Sequence, residues 1–314
     1  MSMSEEHTSG AGGMAEQQAP GLLPSELREG YAEVGDDTRL HYVEAGDGPL
    51  IVLLHGFPEF WFGWRQQITP LAAAGFRVVA PDMRGYNLSS RPAGIASYAA
   101  DKLADDVRSL IRERGAESAQ VVGHDWGGTV AWYTAMNHPE VVDRLAILNA
   151  AHPRKLSHGL RNPGQLRKSW YFFFFELPEL PEAIVHADRW RFFRHFLRDA
   201  RPPYTPEEID RYIEAWSQPG AAAAMINYYR ESVRQSPHAE AQLRPISAPT
   251  LVIWGQGDRY LGPELAEPDH DDVPNLDRVE RLPDASHWVH HDEPERVTQL
   301  LIEFFAPALP TENR

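Results

Sequence analysis

Short, continuous runs of apolar residues recur along the chain and predict buried strands. The first, at residues 50–54, reads Leu-Ile-Val-Leu-Leu, and further runs follow at residues 77–80, 121–122, 145–148 and 250–254. A strand that is covered on both faces needs apolar side chains at nearly every position. These runs are therefore typical of a parallel sheet with a layer of helices on either side.

Helical stripes lie between these runs. Leu103, Val107, Leu110 and Ile111 have the spacing i, i+4, i+7, i+8 of one helix face, and residues 297–305 carry a second stripe. Strands that alternate with helices predict an α/β fold with a mostly parallel sheet flanked by helices. Ahead of this pattern, residues 31–34 and 39–43 flank a Gly-Asp-Asp turn and predict a hairpin.

One region interrupts the alternation. Residues 152–243 contain no buried-strand run but are crowded with aromatic residues and helix formers. We interpret this region as a helical cap domain, inserted into a core domain formed by residues 25–151 and 244–314. Most of its aromatic residues are expected to serve core packing. Residues 1–24 are rich in Ser, Gly, Glu and Gln and predict a disordered tail.

Composition excludes several classes of function. The chain has 314 residues, 42% of them hydrophobic, and a net charge of -15, which argues against nucleic acid or an anionic membrane as partner. It has no cysteine, so disulfides and thiolate metal sites are excluded. No apolar run is long enough to span a bilayer, and no signal peptide is evident. These features predict a cytoplasmic location.

The segment Val-Val-Gly-His-Asp-Trp-Gly-Gly at residues 121–128 predicts a strand, a sharp turn and the start of a helix. This is the context of the nucleophile elbow, in which Gly-x-Ser-x-Gly exposes a reactive side chain above the carboxyl edge of a sheet. Here the central residue is Asp125, and the helix N-terminus favours its ionised form. An Asp that merely caps the helix is the alternative interpretation.

A nucleophilic carboxylate needs a base that activates water and a third group that orients the base. In this kind of fold the chain order is nucleophile, acid, histidine. Asp258 follows the predicted strand at 250–254, and His287 lies in a loop after a strand-like stretch at 279–282. We therefore predict Asp258 as orienter and His287 as base.

The sequence offers two alternatives for these partners. His290 and His291 compete with His287, but they stand where the chain enters its last helix. An acid could also follow the strand at 145–148, and Asn149 at that position favours Asp258 instead.

An oxyanion hole needs two backbone N–H groups that point at the ester carbonyl. The residue after the nucleophile supplies one, which is Trp126. The second is expected from the loop after the strand at 50–54, where His-Gly-Phe-Pro makes Phe57 the donor.

At these positions the chain resembles the epoxide hydrolases of the α/β-hydrolase fold. The likeness rests on His-Gly-Phe-Pro-Glu-Phe-Trp-Phe-Gly-Trp-Arg at 55–65, Asp-Met-Arg-Gly-Tyr at 82–86, the elbow at 123–128 and Ser-His-Trp at 286–288. It extends over about residues 25–307. Asn87 departs from the family, which usually carries Gly there, and this puts the conformation of that loop in doubt.

The resemblance implies further site residues. The family places two cap tyrosines opposite the nucleophile, and Tyr171 and Tyr229 match them, with Tyr228 as the rival of Tyr229. Two phenol donors can hold and protonate the alkoxide that an opening epoxide generates. Substrate contacts are also expected from three residues of these motifs: His55, Pro58 and Phe172.

The implied activity is hydrolysis of a small apolar epoxide by water to a vicinal diol, through an alkyl ester on Asp125. It requires no organic cofactor and no metal, and a homodimer is one possible assembly. A haloalkane or haloacid dehalogenase would use the same triad, but Phe57 and Trp126 stand where those enzymes carry other residues. A serine-type esterase is disfavoured, because Asp at the elbow would form an anhydride. A non-catalytic ligand binder of this fold is the remaining alternative.

Overall fold

The computed structural model describes residues 27–306, apart from the side chains of residues 236–239, 241 and 242. The disordered tail predicted at residues 1–24 lies outside the described residues.

The described part of the chain forms an eight-stranded sheet in the order β1-β2-β4-β3-β5-β6-β7-β8. The pairs β1/β2 and β2/β4 are antiparallel, and all other neighbours are parallel. The predicted hairpin and mostly parallel sheet are thus confirmed. The strands are β1 Arg28–Gly35, β2 Thr38–Ala45, β3 Leu50–Leu54, β4 Arg77–Pro81, β5 Ala119–His124, β6 Val142–Leu148, β7 Thr250–Gly255 and β8 Leu276–Leu282.

Helices connect and cover the strands. Four short 3-10 helices accompany them, at Trp61–Trp64, Ile95–Tyr98, Pro139–Val141 and Pro263–Leu265. The α-helices are α1 Arg65–Ala73, α2 Ala100–Glu113, α3 Trp126–Asn137, α4 Pro153–Gly159, α5 Pro163–Lys168, α6 Trp170–Phe175, α7 Leu180–Val185, α8 Ala187–Leu197, α9 Pro206–Trp216, α10 Ala221–Gln242, α11 Val289–Asp292 and α12 Pro294–Phe305.

The apolar patterns of the sequence become the core. All five residues of β3 are buried, as expected of a strand with neighbours on both sides and helices on both faces. The stripe on α2 and the stripe on α12 both face inward, and every residue that defines them is buried. The sheet therefore holds its carboxyl edge in a fixed position for the loops that follow β3, β5, β7 and β8.

Helices α4–α10 lie between β6 and β7 in the chain, and we call them the cap helices. Their contacts with the rest of the protein are partly apolar: the Phe57 ring packs edge-on against Phe193 and Phe196. They are also ionic, because Arg65 of α1 pairs with Glu208 of α9 in a buried salt bridge. None of the helices within the described residues is long and apolar enough to cross a membrane.

Candidate active site

The turn between β5 and α3 carries Asp125 at its apex, with φ 51° and ψ −117°. The glycines around it are required by space: a Cβ on Gly127 would lie 2.2 Å from the carbonyl oxygen of Leu54, and one on Gly123 would lie 2.3 Å from that of Gly127. Asp125 precedes the helix, but its side chain makes no capping hydrogen bond. The capping interpretation of Asp125 therefore fails, and its carboxylate faces other partners.

Those partners are His287 and, behind it, Asp258. Nε2 of His287 lies 3.5 Å from Oδ2 of Asp125, and Nδ1 lies 2.7 Å from Oδ2 of Asp258. Asp258 is in the loop after β7 and His287 in the loop after β8, as the sequence predicts. Parallel strands end at one edge of a sheet, so residues distant in the chain meet there.

The Asp258 carboxylate is held from several directions. Its Oδ1 accepts the backbone N–H groups of Tyr260 at 2.7 Å and Leu261 at 2.9 Å. Its Oδ2 accepts a hydrogen bond from Nδ2 of Asn149 at 2.7 Å. The same oxygen also faces Nδ1 of His287. Asn149, which follows the strand where an alternative acid could stand, thus donates a hydrogen bond to Asp258.

The electrostatics of this group favour an ion pair. Burial raises the pKa of the Asp258 carboxyl, but the charge of His287 and the hydrogen bonds to Asp258 outweigh it, so the net pKa lies below its usual value. Burial lowers the pKa of His287, yet the charge of Asp258 and contacts with Asp125 raise it well above its ordinary value. The imidazole therefore holds a proton readily while both carboxylates are charged.

The backbone amide of Phe57 donates to Oδ1 of Asp125 over 2.8 Å. This is the geometry of an oxyanion donor that already contacts the oxygen it will stabilise. Trp126 is the first residue of α3, where the backbone N–H has no acceptor within the helix. The Phe57 amide thus contacts the Asp125 carboxylate, and the Trp126 amide directly follows Asp125 in the chain.

The two rival histidines serve other contacts. Nε2 of His290 faces Oε1 of Glu59 at 3.2 Å. His291 lies between the Arg65 guanidinium at 3.0 Å and the carbonyl oxygen of Pro202 at 2.8 Å. Neither imidazole contacts Asp125, which leaves His287 as the histidine beside that carboxylate.

A buried polar cluster beneath the site escaped sequence reasoning. Glu59, His124 and His290 are the described residues whose side chains could together hold a metal ion. Here they bind one another instead, since Nδ1 of His124 lies 3.0 Å from Glu59. Nε2 of His124 lies 2.9 Å from the carbonyl oxygen of His287. The cluster thus connects the turn that carries Asp125 to the loop that carries His287. Its only signal in the sequence is that Glu59 and His124 lie within the motifs at 55–65 and 123–128.

A cavity of about 400 Å³ extends from Asp125 between the core and the cap helices. Its lining is mostly apolar, and it includes Tyr171 of α6 and Tyr229 of α10, whose rings are 5.7 Å apart. Burial raises the pKa of both phenols well above the ordinary value, and the Asp125 charge adds to the effect. Both tyrosines are therefore held in the protonated form that can donate a hydrogen bond.

Tyr228 differs from its neighbour. Its hydroxyl donates to the carbonyl oxygen of Arg84 over 2.6 Å, so its hydrogen is committed to the core. Tyr228 lines the cavity as Tyr229 does, so the partner of its hydroxyl is what distinguishes the two residues.

The predicted substrate contacts need correction at two positions. Phe172 lines the cavity as expected, but His55 and Pro58 are not among its lining residues. His55 is completely buried, and its nitrogens face the carbonyl oxygen of Gly56 and the N–H of Met83. The carbonyl of Pro58 accepts the indole N–H of Trp216 at 2.5 Å. Both residues shape the loop that carries Phe57 instead of contacting substrate.

The departure at Asn87 leaves its loop intact. Asn87 has φ 39°, a left-handed value that Asn tolerates better than most residues. Its Nδ2 also donates to Oδ2 of Asp82 over 2.8 Å.

Known proteins resemble this chain over most of its length. The family model described as alpha/beta hydrolase fold matches residues 49–294. The AB hydrolase superfamily protein YfhM of Bacillus subtilis is 44% identical over 274 residues, which are 84% of this chain and 93% of that protein. Epoxide hydrolase 4 of Homo sapiens is 35% identical over 303 residues, 92% of this chain and 83% of that protein. A crystal structure of Bacillus megaterium epoxide hydrolase in complex with an inhibitor superposes with a TM-score of 0.78 at 33% identity, covering 88% of this chain and 99% of that one.

Proposed function

Because the chain belongs to the epoxide hydrolases of the α/β-hydrolase fold and is a hydrolase acting on epoxides, we propose a two-step mechanism through an ester on Asp125. In the first step Oδ2 of Asp125 attacks an epoxide carbon and the C–O bond of the ring breaks. In the second step water cleaves the ester and releases a vicinal diol.

The assignment of Oδ2 as the attacking atom rests on the contacts of the two carboxylate oxygens. Oδ1 already accepts the Phe57 amide at 2.8 Å, and a lone pair shared with a donor is a weaker nucleophile. The breaking bond leaves an alkoxide, a strong base that must receive hydrogen bonds or a proton. Tyr171 and Tyr229 line the same cavity and supply two phenol donors for it.

Hydrolysis depends on His287. Esterification removes the negative charge of Asp125, one of the two charges that raise the pKa of His287. The imidazole then gives up its proton more readily and can act as a base toward water. Asp258 keeps the ring oriented and stabilises the imidazolium that forms. The amides of Phe57 and Trp126 stabilise the oxyanion at Oδ1. Each step uses only side chains, backbone amides and water.

The observation that carries this proposal is that Asp125, backed by His287 and Asp258, lines the same cavity as the two cap tyrosines. A dehalogenase would share the triad, but a departing halide is a stable anion that needs only weak donors. The cavity volume and its apolar walls favour a small apolar epoxide as substrate.

The test is diol formation by the full chain from a small panel of aryl and alkyl epoxides, with halide release from haloalkanes measured in parallel. We expect diols from at least part of the panel and little halide. Release of halide faster than formation of diol would overturn the proposal.

A further inference from the structure

Gln165 of cap helix α5 is a buried polar residue with a complete set of partners outside the cavity. Only 2% of it is exposed. Its Nε2 donates to the carbonyl oxygen of Tyr260 at 2.7 Å and to the hydroxyl of Ser169 at 3.0 Å. Its Oε1 accepts the backbone N–H of Gly262 at 2.9 Å. A buried side chain whose donors and acceptor are all used fixes the groups it contacts, since breaking any of these bonds leaves an unpaired polar atom.

The backbone that Gln165 contacts is the loop that holds the triad acid. Between Tyr260 and Gly262 stands Leu261, and the N–H groups of Tyr260 and Leu261 both donate to Oδ1 of Asp258. Gln165 therefore binds the same short backbone segment on its other side. The Lys168 ammonium adds a second tie from α5, donating to the carbonyl oxygen of Asp258 at 3.0 Å.

The same helix leads directly to the cap tyrosine. Ser169, which Gln165 contacts, is the residue that joins α5 to α6, and Tyr171 is the second residue of α6. Across this junction the Tyr260 ring contacts the ring of His287 edge-on, with centroids 5.1 Å apart. Gln165 thus connects the cap, through Ser169, to the loop that carries Asp258, through Tyr260 and Gly262.

We propose that Gln165 is a positioning residue that couples the docked cap to the orientation of Asp258. Through Asp258 it also sets the basicity and the ring orientation of His287. The inference rests on the proposed two-step function, because its effect falls on the hydrolytic half. When the cap is docked, Gln165 holds the Tyr260–Gly262 segment so that both amides reach Asp258. When that contact is lost, the two amides are no longer fixed, and the carboxylate is oriented only by Asn149 and His287.

The test measures the two steps separately. At saturating epoxide, turnover and the fraction of protein that carries the ester, read by intact-protein mass spectrometry after rapid quenching, together give the rate constants for ester formation and ester loss. Gln165→Met keeps the length of the side chain and removes its hydrogen bonds. We expect it to slow ester loss by about ten- to a hundred-fold, as misplacement of a catalytic group does. Ester formation should fall by a smaller factor.

Gln165→Glu supplies a pH-dependent rescue. Burial raises the pKa of a carboxyl, and a protonated Glu can donate to the Tyr260 carbonyl while accepting from Gly262, as Gln does. An ionised Glu cannot donate. The rate of ester loss in Gln165→Glu, divided by that of the parent, should therefore fall as the pH rises. This readout also serves if Gln165→Met does not fold, as judged by circular dichroism. A ratio that does not change with pH would overturn the inference.

Glu208→Gln is the matched control. It weakens the salt bridge between the cap and Arg65 and leaves the loop at residues 258–262, which carries Asp258, unchanged. It should lower thermal stability without slowing ester loss. If Glu208→Gln slows ester loss as much as Gln165→Met, or if Gln165→Met loses the ester at the parental rate, Gln165 has no specific positioning role. Failure of the proposed function is distinct: in that case an epoxide that the parent converts would leave no ester on the parent quenched during turnover, on Gln165→Met or on His287→Gln.

Discussion

Nε2 of His287 lies 3.5 Å from Oδ2 of Asp125. The separation suits an ionic contact and is longer than a normal hydrogen bond, so the two groups face each other without being locked together. Oδ2 is thereby available to attack carbon, while Oδ1 is held by the Phe57 amide.

Asp125→Asn should abolish diol formation and leave the fold intact. An amide has nearly the shape of a carboxylate but is a poor nucleophile. The measurement is turnover by freshly prepared protein, with circular dichroism as the check on folding. Steady activity at the parental rate would contradict the assignment of Asp125.

His287→Gln should still consume about one equivalent of epoxide and then stop, because only the second step needs the base. Intact-protein mass spectrometry should detect a mass increase equal to that of the epoxide, and peptide mapping should place it on Asp125. A variant that has lost turnover but carries no adduct would mean that His287 is needed before the ester forms.

Tyr171→Phe and Tyr229→Phe should each slow ester formation by about ten- to a thousand-fold, as removal of one oxyanion donor or general acid does. The double variant should be nearly inactive. Tyr228→Phe is the matched control, since the Tyr228 hydroxyl donates its hydrogen to the Arg84 carbonyl. Single-turnover rates with one epoxide provide the comparison, and an unchanged rate in the double variant would exclude the tyrosines as donors.

The rate of ester loss should rise with pH and then level off. His287 must be neutral to accept a proton, so the active form is lost as the pH falls through the pKa of the imidazole in the ester state. The charge of Asp258 raises that pKa. Asp258→Asn should accordingly move the profile to lower pH while reducing its plateau. A profile that falls as pH rises would contradict His287 as general base.

Much of the fold could be predicted because its patterns are local. The apolar run at residues 50–54 coincides with β3, and the stripe through Leu103, Val107, Leu110 and Ile111 is the buried face of α2. Asp125, Asp258 and His287 could be predicted to meet because each follows a strand that ends at the same edge of the sheet. These features depend on the period of a strand or helix and on topology, both of which the sequence carries directly.

Side-chain direction and long-range polar contacts could not be predicted in the same way. His55 belongs to the recognised oxyanion segment, yet its ring is turned into the core, where it faces the Met83 amide. Tyr228 and Tyr229 could be separated only by family resemblance until their contacts were known. Gln165 stood in no motif, because its partners Tyr260 and Gly262 are almost a hundred residues away in the chain.

The positive φ of Asp125, described above as the apex of the elbow, has a thermodynamic consequence. A non-glycine residue held in such a conformation costs about 1–3 kcal/mol of folding free energy. Glycine would relieve that strain, at a cost of roughly 0.4–1 kcal/mol from the greater entropy of the unfolded chain. We therefore expect Asp125→Gly to be inactive but to melt at a higher temperature than a variant that lacks only the carboxylate.

Asp125→Ala separates the backbone effect from the loss of the carboxylate, because Ala lacks the carboxylate but keeps the Cβ and its strain. Asp125→Gly should unfold at higher denaturant concentration than Asp125→Ala, and equal midpoints would mean that the elbow is not strained. The protein would thus give up part of its thermal resistance at the proposed nucleophile.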